Sequence, residues 1–541
     1  MFFLSNYELF FEVINNLTVL LITFISLSVF RYYYLYFTRE NPLPGPFPLP
    51  LVGSIHHVFY GDLQKYFLKV YQKYGDLTEV WFADFRIILT SREDYIESFV
   101  SPSTKSKYSM RNPYIEGLDE FLNIKTGVIV NHDYKSWKFN RMFLIKTIAE
   151  KKLLDETIES LQEKFKEMNG YWNDLLNEVE GETLNIDFIQ WIQRFVTDNI
   201  LPSMTGKKSH SSLVRYYYYS LKNINNASES LELESLLVNI KSVVDGVDYF
   251  AFTPYIMRHY VPIIRNNTKV YLKNRDCLWE KFGKFIVEKK KEIEKIESKD
   301  KLRYDILTAL ITANTDKDML NIKRFDDEKF NRPLTNEEIR GVLVDVFFAG
   351  VDTTSNFFTA VIYYIGKHPM VLKKLHEEID KVFFNNGGIN DNNIVITQEK
   401  LSNLVYCEAI IKETARLSPI NAFVDRINTE KDTIKSHEWP TNTVFLMNTV
   451  ALNLDPLKWE NPNVFDPDRF FNNKKDALMF GGGHRICPGR KLAMVQMKCL
   501  LVLIYHYWDV ELVNKNEPLK GRYLTIRRIS ELLVRIKPRK I

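Results

Sequence analysis

Ten residues near the C-terminus, Phe480 to Gly489, read FGGGHRICPG. A cysteine that follows three glycines and precedes Pro488 and Gly489 has little side-chain bulk around its sulfur, so this turn lets something large come close. Glycine opens backbone angles closed to other residues. Pro488 withdraws an N–H and fixes the chain just before KLAMVQMKCLLVLIYHY, whose apolar residues recur at helical spacing. Cys487 thus stands at a helix entrance. Helix-end amides there favour a negative thiolate, and a thiolate is an electron-donating axial ligand for haem iron. Taken alone, the same turn is more often the setting of a buried, inert thiol.

Four cysteines (Cys277, Cys407, Cys487, Cys499), widely spaced and with no C-x-x-C pair, argue against a disulfide framework or a thiolate zinc site and fit a reducing compartment. With 541 residues, 45% of them apolar, the chain can bury a large core. A net charge of +4 and no recognisable nucleic-acid module leave nucleic acid without support as a partner.

Val13 to Phe30 is an uncharged, largely apolar run, close to the ~20 residues that span a bilayer. Arg31, Tyr32, Tyr33, Tyr34 and Arg39 follow it, giving an aromatic belt and positive charge on the downstream side, which leaves the body in the cytoplasm. A cleaved signal peptide is the competing reading, but a basic N-terminal region and a small-residue cleavage site are missing. Pro42, Pro44, Pro46, Pro48 and Pro50 then form a stiff, extended connector expected to separate anchor from body. The expected division is an anchor at 1–40, a proline-rich hinge at 41–53 and one catalytic domain at 54–541.

Leu77 to Ser91 reads as a hairpin turning at Ala83 and Asp84. From Arg92 to Lys381 the pattern is mainly helical. Glu288 to Lys299 alternates Lys and Glu, as a solvated helix face does. Thr335 and Glu338 make a capping box ahead of an apolar helix that runs to about Gly366, ~45 Å at ~1.5 Å per residue. In its middle, AGVDTT (Ala349 to Thr354) interrupts the apolar run with small, charged and hydroxyl residues, so a kink or groove is expected. Asn385 to Asn393 is a low-complexity loop. Val510 to Pro538 alternates as paired strands do and predicts a second small sheet. The fold class is therefore mainly α with small β-sheets (α+β).

Phe480, Gly483, Arg485, Cys487 and Gly489 fit F-x-x-G-x-R-x-C-x-G, and the chain from about residue 42 to 541 resembles the cytochrome P-450 haem-thiolate monooxygenases of the eukaryotic, membrane-anchored microsomal type. The resemblance implies a helical domain around a buried haem b, with Cys487 as the axial iron ligand and Phe480 packed beside the sulfur. It also implies that Arg485 pairs with a propionate, a role suited to a permanent, forked charge. Trp137 and Arg141 reproduce the family's W-x-x-x-R pair, which contacts the propionates, although Tyr134 stands where a glycine is often found. Ala349 to Thr354 matches A/G-G-x-D/E-T-T/S. Thr353 would accordingly position dioxygen and its water, and Asp352 would relay protons from solvent. Glu413 and Arg416 match E-x-x-R and, with Arg469 of an F-x-P-x-R-F-like segment, would form a buried triad that holds the cysteine loop. Ser418 to Arg426 would pass the haem edge, with Arg426 a propionate partner and Ala422 to Val424 facing substrate.

The activity implied is insertion of one oxygen atom of O2 into an apolar organic substrate, with electrons from an NADPH-dependent flavoprotein reductase and single-pass anchoring in the endoplasmic reticulum membrane. Lys135, Lys138, Arg490, Lys491 and Lys498 would surround the reductase-facing side. A peroxide-rearranging isomerase or dehydratase, and a haem-based sensor without turnover, stand as alternatives. Asp352 and Thr353 speak against the first, and the lack of a spare signalling segment against the second.

Overall fold

The computed structural model describes residues 2–50, 52–54, 62–103, 106–111, 116–122, 126–129, 131–179, 181–207, 212–222, 230–320, 329, 331–384, 394–472 and 477–540. The loop expected at Asn385 to Asn393 lies outside the described residues.

The N-terminal helix, Phe2–Phe37, is a single run in which Asn15–Phe37 is long and apolar enough to cross a membrane; Leu20, Leu21, Phe24 and Leu27 are exposed. Its last turns do not stand apart from the body. Tyr32 is buried against Trp81 and donates its hydroxyl proton to the Ala83 carbonyl at 3.1 Å; Tyr36 meets the same tryptophan edge-on, and Arg39 pairs with buried Glu79 at 2.6 Å. Of the residues expected as a membrane-interface belt, Tyr32 and Arg39 therefore form part of a joint with the first sheet, while Arg31 and Tyr34 stay exposed. Tyrosine serves both purposes, because its ring is apolar and its hydroxyl polar.

That sheet has the order β1 (Leu77–Phe82), β2 (Phe85–Thr90), β7 (Val444–Asn448), β4 (Phe423–Ile427). The hairpin turns at Ala83 and Asp84 as expected, and β2 pairs in parallel with β7. The C-terminal strands do more than pair with one another. β9 (Lys520–Tyr523) and β10 (Arg527–Glu531) form a hairpin, but β11 (Leu533–Pro538) lies between β8 (Trp508–Leu512) and the distant β3 (Leu184–Asp187). A minor ribbon pairs β5 (Asp432–Ile434) with β6 (His437–Trp439).

Helices make up most of the rest, and the central one is Asn336–Lys367. The Thr335 hydroxyl accepts from the Glu338 amide, while the Glu338 carboxylate accepts from the Thr335 amide at 2.8 Å, which completes the expected capping box. Its 32 residues span ~48 Å at ~1.5 Å per residue. Apolar side chains almost all round, among them Val342, Phe347, Phe358 and Ile362, put it inside the main core beside the helix Phe188–Thr205. The Lys- and Glu-rich stretch closes the helix Pro262–Glu294 and is mostly solvated, but Ile293 is buried and Lys289 turns inward to Asp305 at 3.5 Å.

The ion triad is present. Glu413 holds Arg416 at 2.8 Å and Arg469 at 3.1 Å, with Glu413 and Arg416 fully buried. Arg416 spends its other donors on the carbonyls of Asn453, Pro462 and Val464, so the triad clamps the meander 453–466 directly. Burying such charges costs free energy unless every donor is met, and here the backbone meets the remainder.

Candidate functional site

Helix Arg490–Tyr507 begins directly after the cysteine turn, as the sequence predicts, with the Ala493 amide bonded to the Gly489 carbonyl at 2.8 Å. Within the turn, the Cys487 amide donates to the Phe480 carbonyl at 2.9 Å, folding the decapeptide into a loop. The glycines serve the chain itself. Gly481 and Gly483 have φ of 66° and 64°, closed to most side chains, and a Cβ on Gly482 would lie 2.6 Å from the Val100 Cβ. At Gly482 and Gly483 the space is filled by the end of the helix Glu93–Val100, whereas Gly481 meets no neighbour within 4 Å and lines the cavity described next.

Above the turn lies a cavity of about 1200 Å³. Its lining includes Phe480, Cys487 and Leu492 from the turn and the helix after it, Ala349, Gly350 and Thr353 from the central helix, and Ile420, Phe423 and Val424 from the first sheet and the segment before it. Cys487 is exposed to this chamber. Burial by protein on the other sides pushes its thiol up, while the Gly489 amide and the Arg141, Arg111 and Arg490 guanidiniums pull the other way.

The predicted residues divide into wall and support. Arg141, Thr353, Phe480, Arg485 and Cys487 line the cavity; Trp137, Arg426 and Asp352 do not. Trp137 gives its indole N–H to the Val128 carbonyl at 3.2 Å and offers its ring to the Arg485 guanidinium, 3.8 Å away. Arg426 donates to the carbonyls of Asp425 and Gly482, bracing the glycine turn. Ala422, expected to face substrate, is instead fully buried in the core under the first sheet, where it packs among Phe67, Val70 and Leu446; Phe423 and Val424 do reach the cavity.

Thr353 donates its hydroxyl proton to the Ala349 carbonyl one turn back, a local bond that holds the hydroxyl on the cavity wall. Asp352 faces the other way. Its carboxylate accepts from Asn356 at 3.3 Å and lies 3.8 Å from Arg528 on β10, so it stands outside the chamber it was expected to serve. Burial raises its pKa, and the charges of Arg528 and Lys241 oppose that rise.

The donor set beside the cysteine is unbalanced. Arg111, Arg141, Arg426 and Arg485 crowd together, and among the described residues Asp425, 3.3 Å from Arg111, is the acid paired with them. Burial first, then repulsion from Arg111 and Arg426, pushes Arg485 down to about 8. A guanidinium does not surrender its proton so readily, so an incoming anion relieves that pressure instead. Arg485 Nη1 and Arg111 Nε are also buried without hydrogen-bond partners. A cofactor carrying carboxylates fits this chamber in charge and donor inventory, and Arg485, Arg111 and Arg141 are the residues that would meet them.

A family model described as cytochrome P450 matches residues 43–526. The chain belongs to the cytochrome P450 family. It is 25% identical to tabersonine 16-hydroxylase 1 of Catharanthus roseus over 92% of each chain. It is 23% identical to cytochrome P450 3A16 of Mus musculus (93% and 92%), and 23% identical to desmethyl-deoxy-podophyllotoxin synthase of Sinopodophyllum hexandrum (88% and 86%). P450s carry haem b on a cysteine thiolate and act as monooxygenases on organic substrates with O2 and a partner reductase, and this chain is such an enzyme.

Motif reading missed Arg111 and Asp425, which border the cavity and form an ion pair there. Neither lies in a recognisable motif, and the pair joins segments more than three hundred residues apart in the chain.

Proposed function

We propose that Cys487 is the axial ligand of haem b in a P450 monooxygenase bound to the endoplasmic reticulum membrane by one N-terminal span, with its catalytic domain at 54–541 in the cytoplasm. The observation that carries this reading is a single cavity lined by Cys487, by Thr353 of the central helix and by surplus arginines. When bound, the haem supplies the redox chemistry, splitting O2 with two electrons so that one atom enters the substrate and the other leaves as water. Arg485 and Arg141 would hold the propionates, Trp137 and Arg426 would brace them from behind, and Phe480 would pack beside the sulfur. Thr353 would offer its hydroxyl to the oxygen-binding side of the chamber. Asp352, tied toward Arg528, would pass protons inward from that flank. Electrons would come from an NADPH-dependent flavoprotein reductase, and the largely apolar walls would select an apolar body in the substrate.

The test is spectroscopic. Reduced, carbon monoxide-bound protein should absorb at the position diagnostic of thiolate ligation, and Cys487→Ala should abolish that band. A normal band in the alanine variant, with Cys277, Cys407 or Cys499 supplying sulfur, would overturn the assignment.

A further inference from the structure

Asn421 lines the cavity from the segment that joins the helix Val405–Leu417 to β4, and it is exposed. The backbone that carries it is stitched to the C-terminal hairpin. The Tyr523 hydroxyl donates to the Pro419 carbonyl, the Arg527 amide donates to the Ile420 carbonyl at 2.8 Å, and the Arg527 guanidinium donates to the Ser418 hydroxyl at 2.8 Å. Asn421 itself bridges to Ile526, and its carbonyl accepts the Thr449 hydroxyl proton at 3.0 Å. These bonds hold the main chain and leave the carboxamide out.

That carboxamide makes no hydrogen bond among the described residues, and its neighbours on the lining, Ile420, Phe423, Val424 and Ile526, are apolar. Other neutral polar groups on the wall are engaged. Ser203 and Thr353 donate to carbonyls one turn back on their own helices, Thr449 is bonded to Asn421 and Ala422, and Thr525 donates to the Asp248 carboxylate. Thr354 and Gln496 also line the cavity but are buried. Asn421 thus offers one donor group and one acceptor, on a fixed backbone, to whatever fills the apolar space beside it. An apolar body bound there displaces the water that would otherwise satisfy the amide, so a substrate with no polar atom in reach leaves donor and acceptor unpaired at a cost. A neutral oxygen removes that cost. An ion would gain less, because an amide carries no charge to compensate its burial.

Resting on the reading of this cavity as the substrate chamber, we propose that Asn421 determines specificity by hydrogen-bonding a neutral oxygen of the substrate. Its Nδ2 donates to a ketone, or its Oδ1 accepts from a hydroxyl. The enzyme therefore selects apolar substrates that already carry an alcohol or a ketone, and the bond fixes how the rest of the molecule is presented for oxidation. A site built around such a bond rejects the analogue lacking it more sharply than an apolar pocket rejects a missing methylene.

The test uses full-length ferric holoenzyme and two probes: cyclododecanone and the hydrocarbon in which a methylene carbon replaces the carbonyl oxygen. The ring can turn its one oxygen toward any part of the wall, and a ketone is a poor iron ligand, so both probes report on the chamber. Affinities are measured by calorimetry and by ligand-induced shifts of the haem spectrum. Asn421→Leu keeps the approximate size of the side chain and removes both donor and acceptor. It should weaken the ketone at least about fivefold and tighten the hydrocarbon at least about twofold, because the unpaired amide is gone. Asn421→Ala, which adds no bulk, should shift the two probes in the same opposite senses. A purely structural role would move both probes together. Parallel shifts in both variants, or an unchanged affinity for the ketone, overturn the proposal. A normal carbon monoxide band beside parallel shifts refutes Asn421 alone, whereas opposite shifts by calorimetry beside an abnormal band refute the Cys487 assignment alone.

Discussion

Thr353 and Asp352 are neighbours in sequence with opposite surroundings. One hundred degrees of helix rotation sets the hydroxyl on the cavity wall and turns the carboxylate toward Arg528. Replacing Thr353 by Ala removes the hydroxyl without touching the arginines or Cys487, so haem content should stay near wild type. Product formed per NADPH consumed should fall several-fold and peroxide rise to match, because a positioned proton donor is lost from the oxygen-binding side. Haem content, NADPH consumption, product and peroxide measured on one preparation decide it, and unchanged coupling would remove Thr353 from oxygen activation. The pair also marks where motif reading stops. The sequence AGVDTT announces polar residues in an apolar helix, but which of them reaches the chamber depends on what packs against each flank.

At the scale of elements, the N-terminal helix is both a span and a strut. Leu17, Leu20, Leu21, Phe24, Leu27 and Phe30 present apolar side chains to the outside, whereas Tyr32, Tyr36 and Arg39 dock on β1 and on the turn after it. Two truncations separate the roles. Removing residues 1–30 should weaken membrane attachment and leave the melting temperature of the holoenzyme nearly unchanged. Removing residues 1–40 should also expose Trp81 and strip Glu79 of one of its two guanidinium partners, Arg86 remaining at 2.8 Å. Burial of one large aromatic side chain is worth ~1.5–3 kcal/mol, so the longer truncation should lose stability of that order. Differential scanning calorimetry of the two forms checks this, and identical melting would mean that the joint contributes nothing. The strut was not legible beforehand. A run of tyrosines after an apolar segment fits a bilayer interface and a protein joint equally well, and only the position of Trp81 separates them.

Across the whole molecule, the charges expected to surround the reductase-facing side divide into exposed and buried ones. Lys135, Lys138, Arg490 and Lys491 are exposed, whereas Lys498, expected beside them, is buried and bonded to Glu408 at 2.7 Å and to the Leu401 carbonyl. A steering patch on this side would consist of the first four. Reversing charge at Lys138 and Lys491 should slow reductase-dependent reduction of the iron at low ionic strength and matter less at high salt, because surface fields are screened over ~8 Å at physiological ionic strength. Stopped-flow reduction across a salt series measures it, and equal rates for wild type and double variant at low salt would leave the patch without a role.

Sequence alone determined what depends on local chemistry and short spacing: the cysteine turn, the helix that follows it, the capping box, the β1–β2 hairpin and the Glu413–Arg416 pair each lie within a few turns of chain. Tertiary structure alone decided what depends on distant segments meeting. The join of β3 to β11, the pairing of Arg111 with Asp425, the inward turn of Lys498 and the bridging of Asn421 to Ile526 all follow from packing. A residue's type states what it can bond to, and burial against remote partners settles which of those bonds it makes.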